Sequence, residues 1–302
     1  MHSLAIIVPA YKALFLKKTL ECMAGQTDKN FSLYVGDDCS PENLRAVCDE
    51  FDDTLELHYI RYDENLGGSD LAAHWERCID ESREPYIWLF SDDDTMPCDA
   101  VQRINTAIAA RKKAFYRLPL EVIGEQGERI FEAPAFEGEN DTALTFLCEK
   151  FSGRRPSAAI EFVFARELYL AAGRFVHFPV AWSSDDATWF RYALRAGGIE
   201  NLPGKAVGWR QSGGANISTN PRLNKEKMRA TTLFIKWLHD EMILQEIPFT
   251  REFGKNLKKY IKTILSVSLG RKFSTGELWG LCRQIAAFDR RLALKIFLKY
   301  VV

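Results

Sequence analysis

Tyr86-Ile87-Trp88-Leu89-Phe90-Ser91-Asp92-Asp93-Asp94 passes within nine residues from five apolar side chains to three consecutive carboxylates. A short apolar run without polar alternation is the pattern of a strand covered on both faces. Three acids directly after such a strand repel one another unless donors or a cation offset the charge. Oxygen ligands of this kind suit Mg2+ or Mn2+. Working outward, the same pattern recurs. Leu4-Ala5-Ile6-Ile7-Val8-Pro9 reads as a buried strand stopped by proline, Phe31 to Val35 as a second and Leu57 to Tyr62 as a third. Helices are predicted over Phe15 to Ala24, Glu42 to Phe51 and Leu71 to Glu81. For the middle one, Ser40 is the expected cap and Pro41 the first helical position. Alternation of strands and helices implies an α/β fold with a mostly parallel sheet and right-handed crossovers.

A second acidic cluster, Gly36-Asp37-Asp38-Cys39-Ser40, also follows a strand. Ligands of open α/β sheets bind at the carboxyl ends of strands, so both clusters point to one crevice. Asp and Ser also favour turns and helix caps, which is the plainer reading of each cluster alone. The turn after strand one reads Pro9-Ala10-Tyr11-Lys12-Ala13, without the glycines of a dinucleotide-binding loop, and no P-loop is present. If phosphates bind here, a metal has to carry much of the neutralisation.

The rest of the chain is ordinary in bulk and uneven in charge. With 47% hydrophobic and 27% charged residues, the 302-residue chain has the composition of a globular protein. Seven unpatterned cysteines read as reduced thiols, and five dispersed histidines argue against zinc. No signal peptide or membrane-spanning stretch is evident, so a cytoplasmic location is expected. Phe115 to Phe136 mixes strand-like pieces with turns, Ala158 to Arg166 reads as a strand, and Thr188 to Ala196 as a helix. Arg210 to Pro221 is polar, glycine-rich and expected to be a mobile loop, and from Arg222 helices dominate. Residues 251–302 hold 12 Lys/Arg against 3 Asp/Glu, whereas residues 1–250 hold 28 against 38. That contrast sets the C-terminal region apart.

Taken in order, these motifs resemble glycosyltransferase family 2, inverting sugar transferases with the GT-A fold. IIVPAY is similar to the family's first strand and nucleotide-facing turn, which implies that Pro9, Ala10 and Tyr11 frame the base. Gln26-Thr27 resembles the helix end before strand two, and VGDDCS the V-D-D-G-S segment, with Asp38 binding the nucleobase. Asn65-Leu66-Gly67 resembles the N-x-G turn. SDDD resembles the D-x-D region, with Asp93 as metal ligand, Asp94 next to it, and Asp92 facing ribose or pyrophosphate. Here Ser91 stands where the family has its first acid. Ser184-Asp185-Asp186-Ala187-Thr188-Trp189-Phe190-Arg191 resembles the E-D motif, with Ser184 in place of Glu and Asp185 as catalytic base. A shift of one residue nominates Asp186.

The resemblance implies a GT-A domain over residues 1–221, with a nucleotide-binding half at 1–110 and an acceptor half at 111–221, followed by a helical extension at 222–302. It implies transfer from a nucleoside-diphosphate sugar, UDP-sugar favoured, to a glycan or lipid-linked hydroxyl, assisted by Mn2+ or Mg2+, in a bacterial surface-polysaccharide context. Arg210 and the loop Ser212 to Ser218 are candidates to close over the phosphates. Trp182, Trp189 and Trp209 could offer sugar-stacking faces or serve as core. Nucleotidyl transfer and a catalytically degenerate sugar-nucleotide-binding partner are the alternatives. The basic region 251–302 suggests peripheral contact with an anionic membrane, or simple packing on the domain. No nucleic-acid-binding module accompanies it.

Overall fold

The computed structural model describes residues 2–111, 113–213, 217 and 219–301. Its strands are β1 (Leu4–Ala10), β2 (Ser32–Asp37), β3 (Leu57–Arg61), β4 (Tyr86–Leu89), β5 (Phe115–Arg117), β6 (Leu120–Ile123), β7 (Arg129–Glu132), β8 (Asn140–Asp141), β9 (Phe162–Ala165), β10 (Ile199–Asn201) and β11 (Val207–Arg210). Its helices are α1 (Leu16–Ala24), α2 (Leu44–Asp49), α3 (Leu71–Asp80), α4 (Ala100–Arg111), α5 (Ala143–Ser152), α6 (Arg166–Ala171), α7 (Ser184–Ala196), α8 (Asn224–Leu244), α9 (Arg251–Thr263), α10 (Thr275–Phe288) and α11 (Arg290–Tyr300). The chain forms two compact units, each assembled from separate stretches.

The first unit comprises Met1–Ala143, Ser157–Phe175 and Arg191–Ser212. Its main sheet runs β3-β2-β1-β4-β9-β5-β10-β8, and a small one runs β11-β6-β7. β1 pairs in parallel with β2 and β4, and β2 with β3, so the four strands read from the apolar runs all end on one edge. β9 runs antiparallel between β4 and β5. The central strands are buried because helices cover them, which is why their sequences do not alternate. α3 lies so close to β2 that a Cβ at Gly36 would meet Cys78 Sγ at 2.3 Å. Only glycine fits there.

Two sequence expectations change in detail. The second helix starts at Leu44, capped by Asn43, whose side chain accepts the Ala46 N–H at 3.2 Å. Ser40 instead accepts the Glu42 N–H and donates to the Tyr11 carbonyl at 2.6 Å, which ties two strand ends together. Pro41 therefore precedes the helix. Ala158 to Arg166 opens with a 3-10 turn at Ala159–Glu161 before β9 begins.

The second unit comprises Leu144–Pro156, Val176–Phe190 and Gly213–Val302. It is helical at its C-terminal end, as the sequence suggests. Its core is aromatic: Phe151 stacks on Tyr260 with ring centroids 4.4 Å apart, and Phe234 lies edge-on to both. α10 packs against α8 and α11. No helix of the described residues is long and apolar enough to cross a membrane.

Candidate active site

At the carboxyl edge of the first unit, each acidic cluster is tied to a neighbouring strand end. Asp92 Oδ2 accepts the backbone N–H groups of Tyr11 at 2.8 Å and Lys12 at 3.0 Å, which fixes the turn after β1. Pro9 and Ala10 lie within β1 opposite Gly36 and Asp37, and the Ala10 carbonyl accepts the Asp38 N–H at 2.9 Å. Asp38 is buried. Its Oδ1 accepts from Leu66 N and its Oδ2 from Gly67 N, each at 2.8 Å, so the carboxylate shapes the turn that carries Asn65. Asn65 in turn accepts the Gly68 N–H. A Cβ at Gly67 would come within 2.6 Å of Asp38 Oδ2, so glycine is required by the close approach of that carboxylate.

Arg77 of α3 was not anticipated. It pairs with Asp38 Oδ1, donates to the Glu64 carbonyl at 3.0 Å and lies 3.9 Å over the Tyr62 ring. His74, one turn earlier, sits 3.5 Å from Asp38, and burial pushes its pKa down to about 4. The spacing His74, Arg77, Cys78 on one helical face is the only sequence signal that could have revealed this cluster. Asp37 is also buried and engaged, by Arg61 at 2.6 Å and by Ser40 N at 2.7 Å. With Leu66, Gly67 and Arg77 accounted for, Asp38 has little acceptor capacity left, chiefly on Oδ2.

Asp93 and Asp94 differ in surroundings. Asp94 is 1% exposed, and its Oδ1 accepts the Arg210 N–H at 2.7 Å. Arg210 Nε donates to the Asp93 carbonyl at 2.6 Å, Nη1 donates to the carbonyls of Gly124 and Glu125, and the guanidinium lies 4.6 Å over Phe15. Arg210 is thus a buried staple for the acidic loop. Burial, then the charge of Asp92, pushes the Asp93 carboxyl up to about 7, partly offset by Lys12 and Arg210. Burial also raises Asp92 and Asp94. No group of three or more His, Cys, Asp or Glu among the described residues forms a metal cage. The donor set fits a hard cation held by one or two carboxylates and completed by phosphate oxygens, which is how Mg2+ is commonly bound. The Asp92 charge, which adds to the effect of burial on Asp93, is one that such an ion would offset.

The second unit carries the other acidic pair. The helix expected from Thr188 begins four residues earlier, so Asp185 and Asp186 occupy the first turn of α7 rather than a turn before it. Lys150 of α5 lies 2.5 Å from Asp186 Oδ1, and Asp186 is buried. Asp185 is half-buried, and the described residues give it no ion pair. Burial and the Asp186 charge push it up to about 7 against the pull of Lys150. Ser184 holds the Phe178 N–H at 2.9 Å, and Thr188 holds the Val176 N–H at 2.9 Å. Ser183 shares a hydrogen bond of 3.2 Å with the buried hydroxyl of Tyr260, so the C-terminal region reaches this pair. The approach to α7 is strained: Val180, Ala181 and Ser183 all have left-handed φ, between 51° and 64°.

Of the three tryptophans, Trp189 is fully buried core. Trp182 is half-buried, donating to Thr231 Oγ1 at 3.2 Å under the Lys227 ammonium, and Trp209 is half-buried in β11. Of the loop Ser212 to Ser218, residues 214–216 and 218 lie outside the described residues.

Residues 5–140, a little under half of the chain, match the model of glycosyl transferase family 2. No curated protein matches the chain. Among solved structures, S. aureus TarS residues 1–349 in complex with UDP-GlcNAc is similar at 16% identity, with TM-score 0.71 over 100% of this chain and 89% of that one. Mannosyltransferase PcManGT from Pyrobaculum calidifontis, in complex with GDP-Man and Mn2+, is similar at 13% identity, with TM-score 0.53 over 99% of this chain and 83% of that one. At these identities the likeness shows the fold alone, a GT-A arrangement.

Proposed function

We propose that the chain transfers a sugar from a nucleoside-diphosphate sugar, with UDP the favoured nucleotide, to a glycan or lipid-linked hydroxyl with inversion, in building a bacterial surface polysaccharide. The observation that carries this reading is the convergence of Asp38 and Asp92 to Asp94 on one strand edge of the segment matching the family. In this reading residues 1–110 receive the nucleotide, 111–221 the acceptor, and 222–302 form an extension. Pro9 to Tyr11 and the Asn65 turn frame the base, with Asp38 holding that turn and offering Oδ2 to a base N–H. Asp92 sets the height of the Tyr11 and Lys12 backbone below the ribose. Arg210 keeps Asp93 and Asp94 in place as the candidate ligands of Mn2+ or Mg2+. Such an ion, when bound, would withdraw charge from the departing diphosphate.

The chemistry is one displacement. The acceptor oxygen forms a bond to the anomeric carbon as the bond to the diphosphate oxygen breaks on the opposite face. The acceptor proton passes to a carboxylate, which we assign to Asp185, because Asp186 is engaged by Lys150. The UDP-GlcNAc and GDP-Man held by the similar structures support a sugar nucleotide as donor. A thermal-shift screen of UDP- and GDP-sugars with and without Mn2+, followed by product analysis, tests the reading. Release of nucleoside diphosphate with a newly glycosylated acceptor is expected. Release of pyrophosphate would indicate nucleotidyl transfer, and binding without turnover a degenerate partner.

A further inference from the structure

α11 reads Arg290-Arg291-Leu292-Ala293-Leu294-Lys295-Ile296-Phe297-Leu298-Lys299-Tyr300 and contains no acid. Leu292, Ala293, Ile296 and Tyr300 are its buried side. At 3.6 residues per turn, Leu294 and Leu298 stand one above the other on the outer side, 59% and 63% exposed. Exposed Arg291, Lys295 and Lys299 form a second row beside them. Trp279 of α10, 62% exposed, stands edge-on to Phe297 at 5.6 Å and widens the apolar row. Single exposed leucines are commonplace. A tryptophan and two leucines aligned with a row of cations are not.

The few acids of this region do not interrupt the face. Glu277 closes a capping box with Ser274 at the start of α10, and Asp289 accepts from the N–H groups of Arg291 and Leu292 as the cap of α11. Both are spent on helix ends. The face is therefore apolar and cationic at once, the chemistry of a helix lying in the headgroup region of an anionic bilayer. A symmetric contact with a second copy would set like charges against each other.

We propose that the outer face of α10 and α11 docks on an anionic membrane surface. Trp279, Leu294 and Leu298 enter the headgroup–acyl boundary, and Arg291, Lys295 and Lys299 meet lipid phosphates. This assignment is independent of the transferase reading and could fail without affecting it.

The test is flotation of the full chain with vesicles of phosphatidylglycerol and phosphatidylcholine, and with phosphatidylcholine alone. Leu294→Glu with Leu298→Glu, and Lys295→Glu with Lys299→Glu, each change exposed positions only. Lys255→Glu with Lys259→Glu on α9 makes the same change of net charge elsewhere. The chain is expected to float with anionic vesicles only. Both α11 variants should lose more than about tenfold in partitioning with unchanged melting, and the α9 variant should lose much less. No flotation, equal flotation of all variants, or equal binding to neutral vesicles would overturn the proposal. So would self-association without lipid that the leucine variant abolishes. Should the leucine variant not fold, the lysine variant decides by the same measures.

Discussion

Lys150 sets its ammonium 2.5 Å from Asp186 Oδ1, and so divides two adjacent carboxylates into a paired one and an unpaired one. Asp185→Asn keeps the shape but removes the proton acceptor, and turnover should fall roughly 10²–10⁴-fold with little change in donor affinity. Asp186→Asn leaves the half-buried Lys150 ammonium without its nearest counter-charge and should cost up to about 3 kcal/mol of stability. Turnover and melting of the two variants separate the roles. A dead but stable Asp186→Asn would exchange them.

The pH profile follows from the raised Asp185. Its carboxyl is held up to about 7, and the base acts only when ionised. Turnover should therefore fall tenfold per unit as pH drops below about 7. Stability moves the other way: the folded state binds this proton more tightly than the unfolded chain, so the group's contribution to folding is full below the ordinary carboxylate range and is lost as pH rises from there to about 7. Rate profiles of the wild type and Asp185→Asn check the first point, and the acid limb should vanish from any residual rate of the variant. A limb at the ordinary carboxylate range would remove Asp185 from the role.

Asp93→Asn should weaken Mn2+-dependent binding of UDP while leaving the melting temperature without ligand unchanged or raised, since a buried repulsion is removed. Titration calorimetry with and without Mn2+ reads this. Unchanged metal-dependent affinity would point to Asp94.

Gly67→Ala brings a methyl group against Asp38 Oδ2 and should tilt the Asn65 turn. Nucleotide affinity is expected to drop about tenfold, the equivalent of one lost hydrogen bond to a charged group. Arg77→Met should do the same through Asp38. If both variants bind UDP as the wild type does, the turn does not frame the base.

The parallel strands were legible because burial on both faces leaves a continuous apolar run, as in Leu4 to Pro9 and Tyr86 to Phe90. The cap of α2 was misplaced because Ser40 makes its bonds to Tyr11 and Glu42, a use that depends on a second strand end. Strand β9 runs against its neighbours, and direction leaves no mark in an apolar run. Arg77 and Lys150 escaped notice because a single cation on a helix acquires meaning only from the carboxylate it meets across the fold. The early start of α7 has the same origin: Ser184 looked like a turn residue, whereas its hydroxyl holds the Phe178 N–H.

The run of left-handed residues at Val180, Ala181 and Ser183 bears on how this chain could adapt. Each side chain there opposes its own backbone, so glycine would relieve the local conflict. The same exchange would loosen the approach to α7 and let the proposed base wander from its bearing. Heat resistance and turnover thus select in opposite directions along four residues. Lineages that moved to higher temperature would be expected to gain stability elsewhere, and to leave this bend uncomfortable.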